Sequence, residues 1–179
     1  RRQRTLEALK RVLLRESQVQ PLLLVCEDLH WIDSETQALL NTLVESLPSR
    51  DRVIGITGTA GKSTTSAMIS HAMRKLGEKV ELGGNIGGSL LERGIDKDTW
   101  VVLELSSFQL ETTCSLRTVA STVLNVTPDH MDRYASLEAY GAAKARIFDG
   151  CDVAVINADD PAVRGMPRPG QSVVSFSLE

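Results

Sequence analysis

A glycine-rich stretch between two apolar segments limits what this chain can fold into more than any other feature. Residues 55–64 read Gly-Ile-Thr-Gly-Thr-Ala-Gly-Lys-Ser-Thr, after a Val- and Ile-rich run from Arg52 to Thr57 and before a run from Ser63 to Leu76 with apolar residues at helical spacing. This order predicts a strand, a loop and a helix. Glycines let backbone N–H groups approach an anion, and a helix N-terminus adds partial positive charge, so the stretch favours phosphate binding.

The loop ends in the Gly-Lys-Ser order of a P-loop, in which the lysine reaches the terminal phosphates and the hydroxyl reaches Mg²⁺. Ile56 stands where the common Walker A pattern has its first glycine, so the spacing departs from that pattern. A surface turn before a helix is the alternative interpretation. The candidate phosphate contacts are Gly58, Thr59, Gly61, Lys62, Ser63 and Thr64.

Composition and charge fit an ordinary globular domain. With 42% hydrophobic and 24% charged residues in 179, the chain can bury a sizeable core. Its 20 basic and 23 acidic residues form no basic arm, which argues against a nucleic-acid partner. Cys26, Cys114 and Cys151 form no close pair and fit reduced thiols of a cytoplasmic protein. No apolar run is long enough to span a bilayer, so no membrane partner is predicted, and the oligomeric state stays open.

The first fifty residues predict a helix, a strand and a second helix. Residues 22–26 form an apolar run of strand length that ends in Glu27 and Asp28, as in a buried parallel strand. Asp28 could hold Mg²⁺ through water and Glu27 could orient a water, as in a Walker B, but a solvated strand end fits equally well. Residues 1–50 are expected to pack into the same sheet as the rest.

Residues 22–47 resemble the Walker B region of the STAND-type regulatory ATPases, through the run Glu27-Asp-Leu-His-Trp-Ile-Asp33. In those ATPases a phosphate loop lies upstream, and no such loop precedes residue 22 here. We therefore interpret residues 1–50 as a packing segment and the chain as a chimera.

A different resemblance covers residues 52–161. Six motifs occur in order: Val53-Ile-Gly-Ile-Thr-Gly-Thr-Ala-Gly-Lys-Ser-Thr-Thr65, Gly83-Gly-Asn-Ile-Gly87, Leu103-Glu-Leu-Ser-Ser-Phe-Gln-Leu-Glu111, Leu124-Asn-Val-Thr-Pro-Asp-His-Met-Asp-Arg-Tyr134, Ala142-Ala-Lys-Ala-Arg-Ile-Phe148 and Asn157-Ala-Asp-Asp-Pro161. Together they resemble the central domain of the Mur ligases. The third motif is more typical of the D-glutamate-adding branch than of the other branches. The resemblance assigns residues 51–179 to a truncated central ATP-binding domain.

The residues themselves support one of the implied metal ligands, and the resemblance supplies another. Glu104 follows an apolar strand at the edge where parallel sheets bind ligands, and a purely structural buried carboxylate would need a Lys or Arg nearby. His130 lies in a tight loop after the next strand, where a lone histidine is usually only solvated. The resemblance raises His130 to a second metal ligand with a catalytic role. Ser63 completes the predicted metal set.

The resemblance implies an ATP- and Mg²⁺-dependent ligase that adds D-glutamate to UDP-N-acetylmuramoyl-L-alanine in peptidoglycan synthesis. It gives Lys62 and Lys144 catalytic roles, with Lys144 at the position that is carbamylated in the family, and places Asn85 at the phosphate, metal or substrate. Those ligases also have a domain for the uridine nucleotide and another for the incoming amino acid, and neither is recognisable here. We therefore expect an incomplete ligase. A regulatory ATPase fragment and an inactive scaffold are the alternatives.

One position departs from the family pattern. Ala60 stands where those ligases usually have asparagine. The backbone donors at this position survive the change, so we expect nucleotide binding to persist and phosphoryl transfer to weaken.

The expected fold is α/β: a three-layer, P-loop-type, mostly parallel sheet flanked by helices. Strands are predicted near Leu22, Arg52, Thr99, Val119 and Asp152, with a last possible strand at residues 172–176. Right-handed crossovers would bring the loops that bear Gly58, Glu104 and His130 to one edge of the sheet.

Overall fold

Strands and helices alternate along the chain in the computed structural model, which describes residues 52–86, 95–114 and 116–178. The predicted helix–strand–helix unit of residues 1–50 lies outside the described residues. In chain order the elements are β1 Val53–Thr57, α1 Lys62–Lys75, β2 Val80–Gly84, β3 Trp100–Glu104, α2 Ser107–Thr112, β4 Thr118–Val123, α3 Leu137–Ala145 with a 3₁₀ turn Arg146–Phe148, β5 Cys151–Asn157, α4 Pro161–Arg164 and β6 Ser172–Phe176.

The six strands form one sheet in the order β2-β3-β1-β4-β5-β6, and each neighbouring pair is parallel. The register places Ile54 of β1 opposite Val102 of β3 and Ala120 of β4. This confirms the predicted α/β fold with a mostly parallel sheet. The glycine-rich loop leaves from β1, which lies in the interior of the sheet.

Two hydrophobic clusters cover the two faces of the sheet, because successive side chains of a strand point to opposite sides. Val101 and Leu103 of β3 join a large cluster with Tyr140 and Phe148 from α3 and its 3₁₀ turn. Val102, between them in sequence, joins a smaller cluster packed against α1. The helix–sheet–helix layering is therefore the predicted one.

Helix α1 packs against the sheet with only part of its apolar residues. Ile69 and Met73 pack against the smaller cluster, whereas Met68 is 66% exposed. Ser66 and Ser70 occupy the buried positions instead. Because serine is small, the helix can lie close to the strands.

Strand β2 was not expected from the sequence, whereas β6 was. All five residues of β6 are exposed, although the strand pairs in register with β5. Cys114 is an exposed free thiol and Cys151 a buried one, in agreement with the prediction, and Cys26 lies outside the described residues. Of the helices that the structure describes, none has the length and apolar character needed to cross a membrane.

Candidate phosphate-binding site

The predicted site residues lie at the carboxyl edge of the sheet. The Leu105 N–H donates to the Ile56 carbonyl at 2.8 Å, and the Leu124 N–H donates to the Thr57 carbonyl at 2.9 Å. These bonds join the ends of β3 and β4 to the end of β1, where the glycine-rich loop starts. Because the strands are parallel, the loops that bear Gly58, Glu104 and His130 leave from this edge, as predicted.

The glycine-rich loop leads into the N-terminus of α1, which no side chain caps. Gly61 precedes α1 with φ 81°, a left-handed conformation that glycine adopts at little cost. No side chain caps α1 and no acid lies in its first turn, whereas Ser106, Ser136 and Asp160 cap the three other described helices. The first-turn N–H groups of α1 therefore have no side-chain acceptor and carry the positive end of the helix dipole.

Two lysines converge on one carbonyl of the loop. Lys62 Nζ donates to the carbonyls of Gly58 and Thr59, both at 3.0 Å, and Lys144 Nζ donates to the Gly58 carbonyl at 2.9 Å. Lys144 is 1% exposed, and its Nζ lies 4.4 Å from the centre of the Tyr140 ring. In the described part of the chain, neither lysine forms an ion pair with a carboxylate.

Burial has a direct effect on Lys144. Desolvation, and then the charge of Lys62, lower the pKa of the Lys144 amine to about 8, against a smaller opposing effect of Asp129. An ammonium group is costly where water is scarce and a like charge is near. The site therefore favours an anion that would neutralise this charge.

Glu104 is held by the turn that follows β2. Its side chain is 1% exposed, and its Oε1 accepts a hydrogen bond from Asn85 Nδ2 at 3.1 Å, while the Asn85 N–H donates to the Glu104 carbonyl at 2.8 Å. Gly84 makes this turn possible, because a Cβ there would lie 2.1 Å from the Glu104 carbonyl oxygen. Asn85 thus bonds to both the side chain and the backbone of the predicted metal ligand.

The other Glu104 oxygen fits a metal ligand. None of the described residues donates a hydrogen bond to Oε2, and no Lys or Arg of the described part forms an ion pair with this carboxylate. The partner that a structural role would require is thus missing there, and a buried carboxylate oxygen is costly without a cation or donor. The described residues hold no group of three or more His, Cys, Asp or Glu side chains suited to a metal. Mg²⁺ at phosphates typically takes one or two protein ligands, to which Glu104 and the exposed Ser63 correspond.

His130 and Lys144 share an aromatic neighbour, Tyr140. The His130 ring centre is 6.1 Å from that of Tyr140, the ring that Lys144 Nζ faces, and 4.9 Å from that of Phe108. Asp129 accepts the His130 N–H at 2.9 Å, and its other oxygen lies 3.5 Å from Nε2. His130 has φ 53°, which is unusual for a non-glycine residue and occurs often at functional sites. Its role as a metal ligand stays a prediction.

Asn125 had no predicted role, and the structure places it against the phosphate loop. Its side chain bonds to both the N–H and the carbonyl of Ala60, at 2.9 and 3.1 Å. Thr59, a predicted phosphate contact, has its N–H and hydroxyl bonded to the same segment. The available signal was an asparagine placed directly after a buried strand at the binding edge.

The structure is thus an α/β domain with a parallel sheet, and a glycine-rich loop, two convergent lysines and a buried carboxylate lie at one edge of that sheet. The family model of the Mur ligase middle domain matches residues 56–179. The chain belongs to this family, as predicted. The STAND-type resemblance of residues 1–50 stays a prediction.

Curated relatives include UDP-N-acetylmuramoylalanine–D-glutamate ligases. That of Thiobacillus denitrificans is 50% identical over 153 residues, which cover 79% of this chain and 32% of the relative. That of Haemophilus ducreyi is 51% identical over 124 residues, covering 68% and 27%. The chain thus spans about a third of the length of the curated relatives it matches.

Solved structures agree in fold. A UDP-N-acetylmuramoyl-L-alanyl-D-glutamate–2,6-diaminopimelate ligase superposes with a TM-score of 0.60 at 23% identity, covering 87% of this chain and 37% of that one. FolC of E. coli, in complex with DHPP and ADP, superposes with a TM-score of 0.56 at 18% identity, covering 95% and 51%. At these identities the likeness concerns the fold alone.

Proposed function

We propose that residues 52–178 contain the MgATP-binding centre of a ligase that adds D-glutamate to UDP-N-acetylmuramoyl-L-alanine in peptidoglycan synthesis. The observation that carries the proposal is the convergence of Lys62 and Lys144 on the Gly58 carbonyl beside the uncapped start of α1. These positive groups have no carboxylate partner in the described residues, and the phosphates of ATP would supply the missing negative charge. The names of the curated relatives support the choice of substrates.

Each of the chain's own groups has a defined task in this proposal. Lys62 would exchange its bonds to the loop carbonyls for bonds to the phosphates. Glu104 and Ser63 would hold Mg²⁺, which supplies charge neutralisation at the phosphates. Asn85 would keep Glu104 in orientation, and His130 would contribute a second metal contact. We expect Gly58, Gly61 and Thr64 to line the phosphates.

The proposed reaction forms an amide in two steps. The γ-phosphoryl group moves from ATP to the terminal carboxylate of the UDP-linked substrate and leaves ADP. The amine of D-glutamate then attacks the acyl phosphate, forms the C–N bond and releases phosphate with loss of a proton. Such a transfer needs alignment and neutralisation of charge and no covalent nucleophile on the protein, which suits a site built from lysines and a carboxylate.

Lys144 suits the carbamylation that the family resemblance implies. The neutral amine is the form that combines with carbon dioxide, giving a carbamate and a proton. A pKa of about 8 makes this form more abundant near neutral pH than it is for an ordinary lysine. The product would be an anion beside Lys62, in place of a second cation.

Ligation by the 179-residue chain alone is not expected. The chain spans about a third of the relatives' length. We propose that it binds MgATP without completing the reaction, and that Ala60 further weakens phosphoryl transfer. D-Glutamate-dependent release of ADP in the presence of UDP-N-acetylmuramoyl-L-alanine would overturn this expectation.

Melting curves at increasing MgATP test the proposed binding. A ligand at a hundred times its Kd stabilises a protein by about 2.7 kcal/mol, a shift of several degrees in Tm. We expect this shift in the parent chain and its loss in Lys62→Ala. The matched control is Lys75→Ala, which removes the same charge from the exposed last turn of α1. An unshifted Tm of the parent chain at millimolar MgATP would indicate a scaffold without this ligand.

A further inference from the structure

We propose that Asn125 is a positioning residue that sets the shape of the phosphate loop, and that Asn157 and Asp160 hold Asn125 in place. The proposal rests on the proposed function, because the shape of the loop affects nucleotide affinity only if the loop binds nucleotide. It gives a role to the Asn157-Ala-Asp-Asp-Pro161 motif, which the proposed reaction leaves unused.

The side chain of Asn125 pairs with the backbone of Ala60 as a second peptide would. Its Oδ1 accepts the Ala60 N–H at 2.9 Å, and its Nδ2 donates to the Ala60 carbonyl at 3.1 Å. The Asn125 carbonyl also accepts the Thr59 N–H at 3.0 Å. One residue therefore satisfies three backbone polar groups of two consecutive residues of the glycine-rich loop.

Thr59 extends the same contact from the side of the phosphate loop. Its hydroxyl donates to the Thr127 carbonyl at 3.2 Å and accepts the Thr127 N–H at 3.0 Å. Asn125 makes three hydrogen bonds and the Thr59 hydroxyl makes two. These five bonds join the loop after β1 to the loop after β4. Such a network keeps each loop in the conformation that the other requires.

The β5–α4 turn holds the backbone on either side of Asn125. Asn157 Nδ2 donates to the Leu124 carbonyl at 3.0 Å, and Asp160 Oδ2 accepts the Val126 N–H at 2.8 Å. The second Asp160 oxygen accepts the Ala162 N–H at 2.9 Å and so caps α4. The three loops thus form one hydrogen-bonded series, with Asn125 between the phosphate loop and the α4 cap.

This series has a consequence for Ala60. Its N–H is bonded to Asn125 and is therefore not free to bind an anion. The loop is held through the backbone of residue 60, so its shape does not depend on the side chain there. Preorganisation of this kind raises affinity by lowering the ordering cost on binding.

Asn125→Ala in the full chain tests the proposal by titration calorimetry with MgATP. Two hydrogen bonds to Ala60 are lost, so we expect Kd to rise roughly tenfold. Asn125→Asp should weaken binding as well, because its second oxygen would face the Ala60 carbonyl. The matched control is Thr127→Ala, in the same loop, since Thr127 contacts Thr59 through its backbone. A Kd in Asn125→Ala equal to that of the control would overturn the proposal.

Amide hydrogen exchange of Ala60 in the nucleotide-free chain supplies a readout that general destabilisation would not give. We expect Asn125→Ala to accelerate exchange at Ala60 while the β1 amides keep their parent rates. If Asn125→Ala does not fold, Asp160→Asn is measured in its place. Its control is Asp159→Asn, because the Asp159 carboxylate of the parent chain contacts Ser177 and Leu178 instead. Unchanged Ala60 exchange in the folded variants would refute the role of Asn125. Failure of the parent chain to bind MgATP would instead refute the proposed function, and Ala60 exchange would still decide whether Asn125 orders the loop.

Discussion

Glu104 is buried, and none of the described residues donates a hydrogen bond to its Oε2. Removing its charge should therefore affect stability differently with and without Mg²⁺. Glu104→Gln keeps an oxygen for Asn85 and removes the buried charge. Without Mg²⁺ we expect a free energy of unfolding equal to the parent's or higher by about 1 kcal/mol. With ATP present, the additional stabilisation given by Mg²⁺ should disappear. Chemical denaturation with and without Mg²⁺ measures both effects, and an Mg²⁺ increment like the parent's would rule out Glu104 as a ligand.

Lys144 predicts a dependence of stability on pH. Its pKa is about 8 in the folded chain against an ordinary 10.5, so between these values the unfolded chain binds more protons. Stability therefore rises with pH from about 8 upward. By linkage, the free energy of unfolding should increase by roughly 2 kcal/mol between pH 7 and 9.5. Lys62 lowers this pKa and Asp129 raises it, and the ring of Tyr140 lies 4.4 Å from the amine.

Urea denaturation in buffer free of carbon dioxide measures this slope, with Lys144→Met as the comparison. The measurement stays below pH 10, because burial raises the pKa of Tyr134 and of Tyr140 and gives the opposite slope above that value. The methionine variant should show a much smaller rise. Equal slopes in the two proteins would assign the effect to other groups.

At the level of single residues, the sequence predicted which side chains reach the edge and missed what holds them. Glu104 could be placed there because parallel strands end at a common edge. Lys62 followed from the Gly-Lys-Ser order, and Lys144 followed only from the family resemblance. The bond of Asn125 to Ala60 joins residues 65 positions apart, and local patterns carry no signal for it. The position of Asn85 on Glu104 is likewise a contact between two strand ends.

The end of β2 leaves no room for an added methyl group. Gly84 has φ 91°, and a Cβ there would lie 2.1 Å from the Glu104 carbonyl oxygen. Gly77 has a similar φ of 89° with nothing within 4 Å of a Cβ, which makes it a matched control. We expect Gly77→Ala to cost about 1 kcal/mol through backbone strain, and Gly84→Ala roughly 3 kcal/mol through strain and overlap together. Thermal or urea denaturation of both variants gives the difference, and equal losses would contradict the close approach.

Elements with a strong local signal were predictable, and those that depend on neighbours were not. Apolar runs predict strands β1, β3, β4 and β5. The capping residue Ser136 predicts the start of α3. Strand β2 reads Val-Glu-Leu-Gly-Gly, and its pairing with β3 rather than its composition makes it a strand. The buried face of α1 was predictable only in part. Ile69 and Met73 pack against the smaller cluster, but two serines are buried and Met68 is exposed.

At the level of the whole molecule, the groups proposed to bind phosphate and metal lie at the carboxyl edge of one sheet. Lys62 and Lys144 come from helices on opposite faces and meet at the loop from β1. Glu104 enters from the neighbouring strand β3, in register with Ile56. A nucleotide bound there would need no contribution from Glu27 and Asp28, the acids of the STAND-type resemblance.

Paired variants separate the ligase-type site from a regulatory ATPase fragment. We expect Glu27→Gln and Asp28→Asn to keep the MgATP-induced rise in Tm of the parent chain, because the lysines and carboxylate that would hold the ligand lie within residues 52–178. Glu104→Gln should lose the Mg²⁺-dependent part of that rise. The same removal of a carboxylate charge is thus compared at two places in the sequence. The opposite pattern, with loss at Glu27 or Asp28 and none at Glu104, would move the nucleotide site to residues 1–50 and establish the ATPase alternative.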